Sequence, residues 1–140
     1  MAKKKVFLDS NILFSIIYND SPHSQLQLFT ILQKEKIIDL IISELVVKET
    51  YHNIKKKIST KISKLEETLS FFKIVEDNFN FVKEIEDSLP YNDKVILNTA
   101  IVYGSDYFIT GNTKDFVKFY GNLYKNCMVL KPSDFFRLNK

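Results

Sequence analysis

The order of apolar runs in this chain predicts an α/β fold: three layers, α/β/α, with a central, mostly parallel sheet and a helical hairpin around residues 43–72. Three observations lead there. Short apolar runs suited to strands alternate with longer stretches of helical spacing, the pattern of a sheet built from crossover units. The runs are apolar at consecutive positions, as in Val6-Phe7-Leu8, so both faces of a strand need cover. With 140 residues, 45% of them hydrophobic and 26% charged, the chain has the size and composition of one globular domain, expected to span 1–140.

The elements follow in order. Val6-Phe7-Leu8 reads as a buried strand ending at Asp9, and a first helix is expected from about Asn11 to Tyr18. Ser21-Pro22 reads as a cap with proline at the first helical position, opening a helix that carries Leu26, Phe29, Ile31 and Leu32 and fades near Lys36. Ile37 to Ser43 is a second strand. Ser43 to Ile58 and Ser59 to Phe72 have helical spacing and form the hairpin. Residues 73–91 are ambiguous; the best reading is a short strand at Lys73 to Val75 and a helix at Phe79 to Asp87. Pro90-Tyr91-Asn92-Asp93 starts the clearest helix, which runs to Tyr103 and stops at Gly104. Tyr107 to Thr110 is a strand, Asp115 to Tyr120 a short helix ending at Gly121, Met128 to Leu130 a last strand, and Pro132-Ser133-Asp134 the start of a terminal helix.

Twelve Phe and seven Tyr provide much aromatic area to bury, and three Gly with three Pro argue against a loop-rich chain. The net charge of +3 does not by itself mark a nucleic-acid binder. Its distribution says more: Lys55, Lys56, Lys57, Lys61 and Lys64 crowd one region, either as a nucleic-acid track or as solvated helix faces. The one cysteine, Cys127, excludes an internal disulfide and sits in an apolar run, as a buried thiol would. A reducing, cytoplasmic setting is expected. The lysines before the first apolar stretch mimic a secretory signal, but Asp9, Ser10 and Asn11 interrupt it. No run of eighteen apolar residues exists, so no membrane span is expected.

Four acids stand where burial should exclude them. Asp9 follows the first strand, where it can also cap a helix. Glu49 lies three and four residues after Val46 and Leu45, on their core-facing side, unless it reaches out to solvent. Asp93 heads a stripe of Ile96, Leu97, Ala100 and Ile101, though a first-turn acid also answers the helix dipole. Asp115 follows the turn after the strand at Tyr107 to Thr110 and has the same alternative. Asp106 precedes that strand and reads as a turn residue at the opposite end. In a parallel sheet ligands bind beyond the carboxyl ends of the strands. There Asp9, Asp93 and Asp115 can gather, with Glu49 reaching in. Carboxylates crowded together raise each other's pKa. A divalent cation relieves the conflict, and oxygen-only ligands suit Mg²⁺ or Mn²⁺ better than zinc.

These stretches resemble the PIN-domain family of ribonucleases, including the small toxins of bacterial toxin–antitoxin pairs. V-F-L-D-S-N-I-L is similar to the family's opening strand and acid, with Asp9 as first ligand and Asn11 beside it. I-I-S-E-L-V-V-K-E-T is similar to the second motif, whose acid follows the strand-end serine by six residues and so selects Glu49 over Glu44. N-D-K-V-I-L-N-T-A-I resembles the third motif, around Asp93. D-Y-F-I-T-G-N-T-K-D-F resembles the last, and M-V-L-K-P-S-D-F-F the terminal strand and helix. Many members carry Asp where this chain has Asn112, so the fourth acid is Asp115, or Asn112 acts as a neutral ligand.

The resemblance implies a Mg²⁺- or Mn²⁺-dependent endoribonuclease. Asp9 and Asp93 would be the main metal ligands, Glu49 and Asp115 would complete the site, and Asn11, Thr110 and Asn112 would support them. RNA is the implied substrate, tracked by the lysines of 55–64. An antitoxin protein and a second copy of the chain are the implied partners.

Other readings have specific obstacles. A haloacid-dehalogenase-type phosphatase needs a second Asp where Asn11 stands. A response-regulator receiver needs an acidic pair and a strand-end Lys, neither apparent. A di-iron bundle needs two Glu-x-x-His motifs, and only Glu49-x-x-His52 is present; His52 reads as a surface residue. The remaining alternative is a PIN-fold domain that binds RNA or protein without cutting.

Overall fold

A computed structural model describes residues 3–85 and 87–138. It contains a six-stranded sheet in the order β3-β2-β1-β4-β6-β5. The strands are β1 (Lys4–Leu8), β2 (Ile38–Ser43), β3 (Lys73–Val75), β4 (Tyr107–Ile109), β5 (Leu123–Tyr124) and β6 (Cys127–Leu130). All pairings are parallel except β5 with β6. The helices are α1 (Ser10–Tyr18), α2 (Leu28–Lys34), α3 (Glu44–Lys57), α4 (Ile62–Leu69), α5 (Tyr91–Tyr103), α6 (Thr113–Phe116) and α7 (Pro132–Leu138). Val6, Phe7 and Leu8 are all completely buried although successive strand residues point to opposite faces, so β1 is covered on both sides. The three-layer α/β reading therefore holds.

Strand order decides where a ligand can enter. β1 leads outward to β2 and β3 on one side, while β4 and β6 extend the other, so the order reverses between β1 and β4. Asp9 leaves the carboxyl end of β1, and Thr110 that of β4. Each strand pairs in register with its neighbour there, Leu8 opposite Ile109. In open α/β sheets such a reversal opens a crevice for ligands.

The helical hairpin forms as expected. Ser43 Oγ accepts from Val46 N at 3.3 Å and starts α3. A 3-10 turn at Ser59–Lys61 leads into α4, and the Tyr51 hydroxyl donates to Glu66 across the pair at 3.1 Å. Gly104 takes the left-handed conformation, φ 88°, and ends α5 as the spacing predicts.

Three local expectations are corrected. Pro22 stands in a turn and opens no helix; α2 begins only at Leu28, after a 3-10 turn at Gln25–Gln27. The Gln27 amide donates to Ile16 O and Asn19 O, which ties this segment to the end of α1. The helix expected over 79–87 does not form among the described residues, and Glu86 lies outside them. Backbone groups there bond to side chains of α5 instead: Val82 N donates to Asn98 Oδ1, and the Asn98 amide donates to the carbonyls of Asn78 and Asn80. The helix expected over Asp115 to Tyr120 runs instead from Thr113 to Phe116, capped by Asn112, which accepts from Asp115 N at 3.2 Å, and residues 117–120 form turns. The antiparallel strand β5 had no sequence signal.

Candidate metal centre

At the carboxyl edge of β1 and β4, a cavity of about 600 Å³ is lined by Ser10, Asn11, Lys48, Glu49, Asn92, Asp93 and Asn112, among others. Glu49 and Asp93 reach it from the second turn of α3 and the first turn of α5; Asp9, at the β1–α1 junction, and Asp115, on the first turn of α6, bond to its lining residues Asn11 and Asn112.

Asp9 is the most buried of them, 1% exposed. Its Oδ1 accepts from Ser10 N at 2.7 Å; its Oδ2 accepts from Thr110 Oγ1 at 2.8 Å and Asn11 Nδ2 at 3.1 Å. It is also the N-cap residue of α1. Burial pushes its carboxyl up to about 6, against the opposing effect of these donors. The Asn11 carbonyl oxygen accepts from Gly111 N at 2.7 Å, which pins the turn after β4 to α1. A Cβ on Gly111 would meet that oxygen at 3.2 Å, so this turn fits glycine closely.

Glu49 is half-buried and held by two neutral donors, the Ser10 hydroxyl at 2.8 Å and the Asn92 amide at 3.1 Å. Glu44, by contrast, is exposed on the first turn of α3. Asn112 stands between the other two acids: its amide donates to Asp115 Oδ2 at 2.9 Å and to Asp93 Oδ2 at 3.4 Å. Asp93 is pushed up to about 7, first by burial and then by the charges of Asp9, Asp115 and Glu49. The four carboxylates thus share one electrostatic environment. Ser10 bonds both Asp9 and Glu49, and Asn112 bonds both Asp93 and Asp115, while Asp93 and Asp115 also meet each other directly.

Among the described residues no three Asp, Glu, His or Cys side chains already close around a single point. Glu49 and Asp93, the two acids in the cavity wall, offer the oxygen donors of a hard cation, which binds one or two carboxylates directly and keeps several of its waters.

Sequence reasoning overlooked Ser10, Asn92 and Lys48. All three carried a usable signal, since each adjoins one of the acids in sequence. Lys48 and His52, one turn apart on α3, also line the cavity, and His52 is exposed as expected. Asp106 is at the far end of β4, where it accepts from Lys5 N at 2.8 Å. Of the lysines, Lys55, Lys56 and Lys57 are exposed at the end of α3, away from the pocket, with Lys57 over the Phe14 ring. Lys61 is engaged within the chain. Its ammonium donates to Ile17 O and Tyr18 O and pairs with Asp20, so its charge serves the carboxyl end of α1 and is not free for a ligand. Cys127 is buried, and its thiol is pushed up to about 12 by that burial.

A parallel sheet with an acidic pocket at its strand-order reversal defines a class of α/β proteins that bind ligands at that edge. Within that class, the sequence matches the PIN domain family over residues 6–122, and the chain belongs to that family. Comparison with curated proteins finds no match. Among solved structures, the fold is similar to VapBC2 from Rickettsia felis bound to a promoter DNA fragment: 22% identity, TM-score 0.67, 91% of this chain and 98% of that one. It is similar to a toxin–antitoxin complex from Klebsiella pneumoniae, with 22% identity, TM-score 0.62 and coverage of 91% and 97%. It also resembles VapC20 from Mycobacterium tuberculosis, a toxin that cleaves the sarcin–ricin loop, with 10% identity, TM-score 0.59 and coverage of 81% and 94%. Among the described residues no helix is long and apolar enough to cross a membrane.

Proposed function

We propose that this chain is a Mg²⁺- or Mn²⁺-dependent endoribonuclease and the toxin of a toxin–antitoxin pair, acting in the cytoplasm. The observation that carries the reading is the gathering of Asp9, Glu49 and Asp115 about Asp93 at one pocket, with Glu49 and Asp93 in its wall and all three neighbours close enough that their charges act on Asp93. Family membership and the toxin–antitoxin proteins among the structural neighbours support it. An antitoxin that covers the pocket and a second copy of the chain are the partners this reading entails.

Asp9 and Asp93 would hold the ion, with Glu49 and Asp115 completing its surroundings directly or through water. When bound, such an ion activates water and neutralises charge on the phosphate. The chain's own residues do the rest. Thr110 and Asn11 hold Asp9 in one orientation. Ser10 and Asn92 hold Glu49 at the pocket wall, where its carboxylate can take a proton from the attacking water. Lys48 places a positive charge beside the phosphate. Lys55, Lys56, Lys57 and Lys64 attract the RNA backbone.

Purified protein with Mg²⁺ or Mn²⁺ should cut single-stranded RNA, and EDTA should stop it. Asp9→Asn should lower kcat/KM at least about a hundredfold and abolish Mn²⁺ binding in a calorimetric titration. Cutting that survives both changes would overturn the proposal. One observation favours a second reading, a non-cutting binding domain: the Asn112 amide already bonds two of the acids. Ordered binding of RNA without cleavage would select it.

A further inference from the structure

The rim of the acidic pocket carries a feature that metal-assisted cleavage does not use. Tyr91 is the first residue of α5, one position before Asn92 and two before Asp93, and it is 61% exposed. Its ring meets Phe81 edge-to-face, with centroids 6.1 Å apart and planes at 84°. The Lys94 ammonium lies over the Phe81 ring at 4.6 Å, held there by Asp87 at 2.8 Å. Phe79, on the same loop, is 58% exposed.

The loop that presents these rings is fastened at considerable cost. Asn98 is completely buried on α5, and each of its polar atoms is committed to that loop. Its oxygen accepts from Val82 N at 2.9 Å, and its amide donates to Asn78 O at 2.9 Å and Asn80 O at 3.2 Å. Thr99, also buried, accepts from Asn78 N at 2.9 Å. A buried amide is tolerated only when it is fully bonded. Here the bonds hold residues 78–82 rigidly on α5, the helix that also carries Asp93. The aromatic rings and the acid are therefore carried by one helix and the loop bonded to it, and Tyr91 is the more exposed of the two paired rings.

We propose that Tyr91 and Phe81 form a base-stacking platform for single-stranded RNA entering the acidic pocket. This rests on the nuclease reading: with a phosphodiester at Asp93, the neighbouring nucleotide passes over Tyr91. An unpaired base offers a π-face to an aromatic ring whatever its identity, so the platform grips the strand with little sequence preference. Preordering of the loop means that little entropy is lost on binding.

The test uses the full chain with Mg²⁺ and a set of single-stranded RNAs, each with one abasic nucleotide at successive positions around the cut. At one position next to the cut, loss of the base should lower kcat/KM by roughly five- to a hundredfold, the scale of one stacked base. Tyr91→Ala should cause a similar loss on intact RNA, seen mainly in KM, and Tyr91→Phe should not. The abasic change should add nothing further in Tyr91→Ala, since both remove one contact. If RNA is cut but no abasic position distinguishes the wild type from Tyr91→Ala, the platform is disproved and the nuclease reading stands. If Tyr91→Ala instead splits an oligomer in light scattering while cutting is unchanged, the surface joins copies of the chain and the inference fails. If no RNA is cut at all, the parent reading falls and this one with it.

Discussion

Asn112 is the residue on which the site turns. An aspartate there would stand between Asp93 and Asp115 and add a third negative charge to a group already in conflict. The amide instead donates to both acids and caps α6 with its oxygen. It relieves repulsion between them and leaves the pocket with one negative charge fewer than an aspartate would. Asn112→Asp should therefore have two opposite effects. Mn²⁺ binding should tighten by roughly an order of magnitude, the scale on which partners of a metal site act, read by calorimetry. The thermal midpoint in EDTA should fall, because two donors become one more acceptor. A variant that binds Mn²⁺ no better would show that position 112 does not face the ion.

At the scale of elements, the clearest example is α5. Its seven consecutive buried residues, Val95 to Ile101, include Asn98 and Thr99, so this helix is buried nearly all round. The two polar residues are satisfied by the 78–82 loop, and that loop in turn cannot form a helix. The carboxyl end of α5 is set by Gly104 at φ 88°, where an added Cβ would meet nothing within 4 Å. Gly104→Ala should thus cost only the backbone penalty of the left-handed conformation, about 1 kcal/mol. Equilibrium unfolding in urea measures it, and a loss several times larger would mean that packing also depends on that position.

Across the whole molecule, the acidic pocket should make stability depend on pH in the direction opposite to that of a salt-bridged protein. The carboxyls of Asp9 and Asp93 are raised from 3.8 to about 6 and about 7. A raised pKa means that the folded state holds its proton more tightly than the unfolded state does. The contribution is complete below about pH 4 and is lost as pH rises through 6 to 7. For the fully buried Asp9 alone the loss is on the order of 3 kcal/mol. Metal-free protein should therefore melt at lower temperature at pH 7.5 than at pH 5, and Mg²⁺ should raise the midpoint at pH 7.5 more than at pH 5. An equal effect of Mg²⁺ at both pH values would separate the ion from these two carboxylates.

Much of this was legible in the residue order because the signals are local. Val6-Phe7-Leu8 is continuous and apolar, so it had to be a strand buried on both faces. The stripe from Ile96 to Ile101, between Pro90 and Gly104, left no alternative to α5. The four acids stood out by position: Asp9 at a strand end, Glu49 and Asp93 on the apolar side of a helix, and Asp115 just past a strand-end turn. Other features depended on contacts between distant residues. Ser10 and Asn92 became donors to Glu49 from 39 and 43 positions away, and Lys61 was drawn to the end of α1. The 79–87 segment lost its expected helix to side chains of Asn98 and Thr99. Periodicity reports which face of an element is apolar, and so the sequence by itself determined the elements and their buried sides. Which polar groups meet is decided only when the sheet brings its strand ends together, because a hydrogen bond needs its partner within about 3 Å and local pattern carries no such distance.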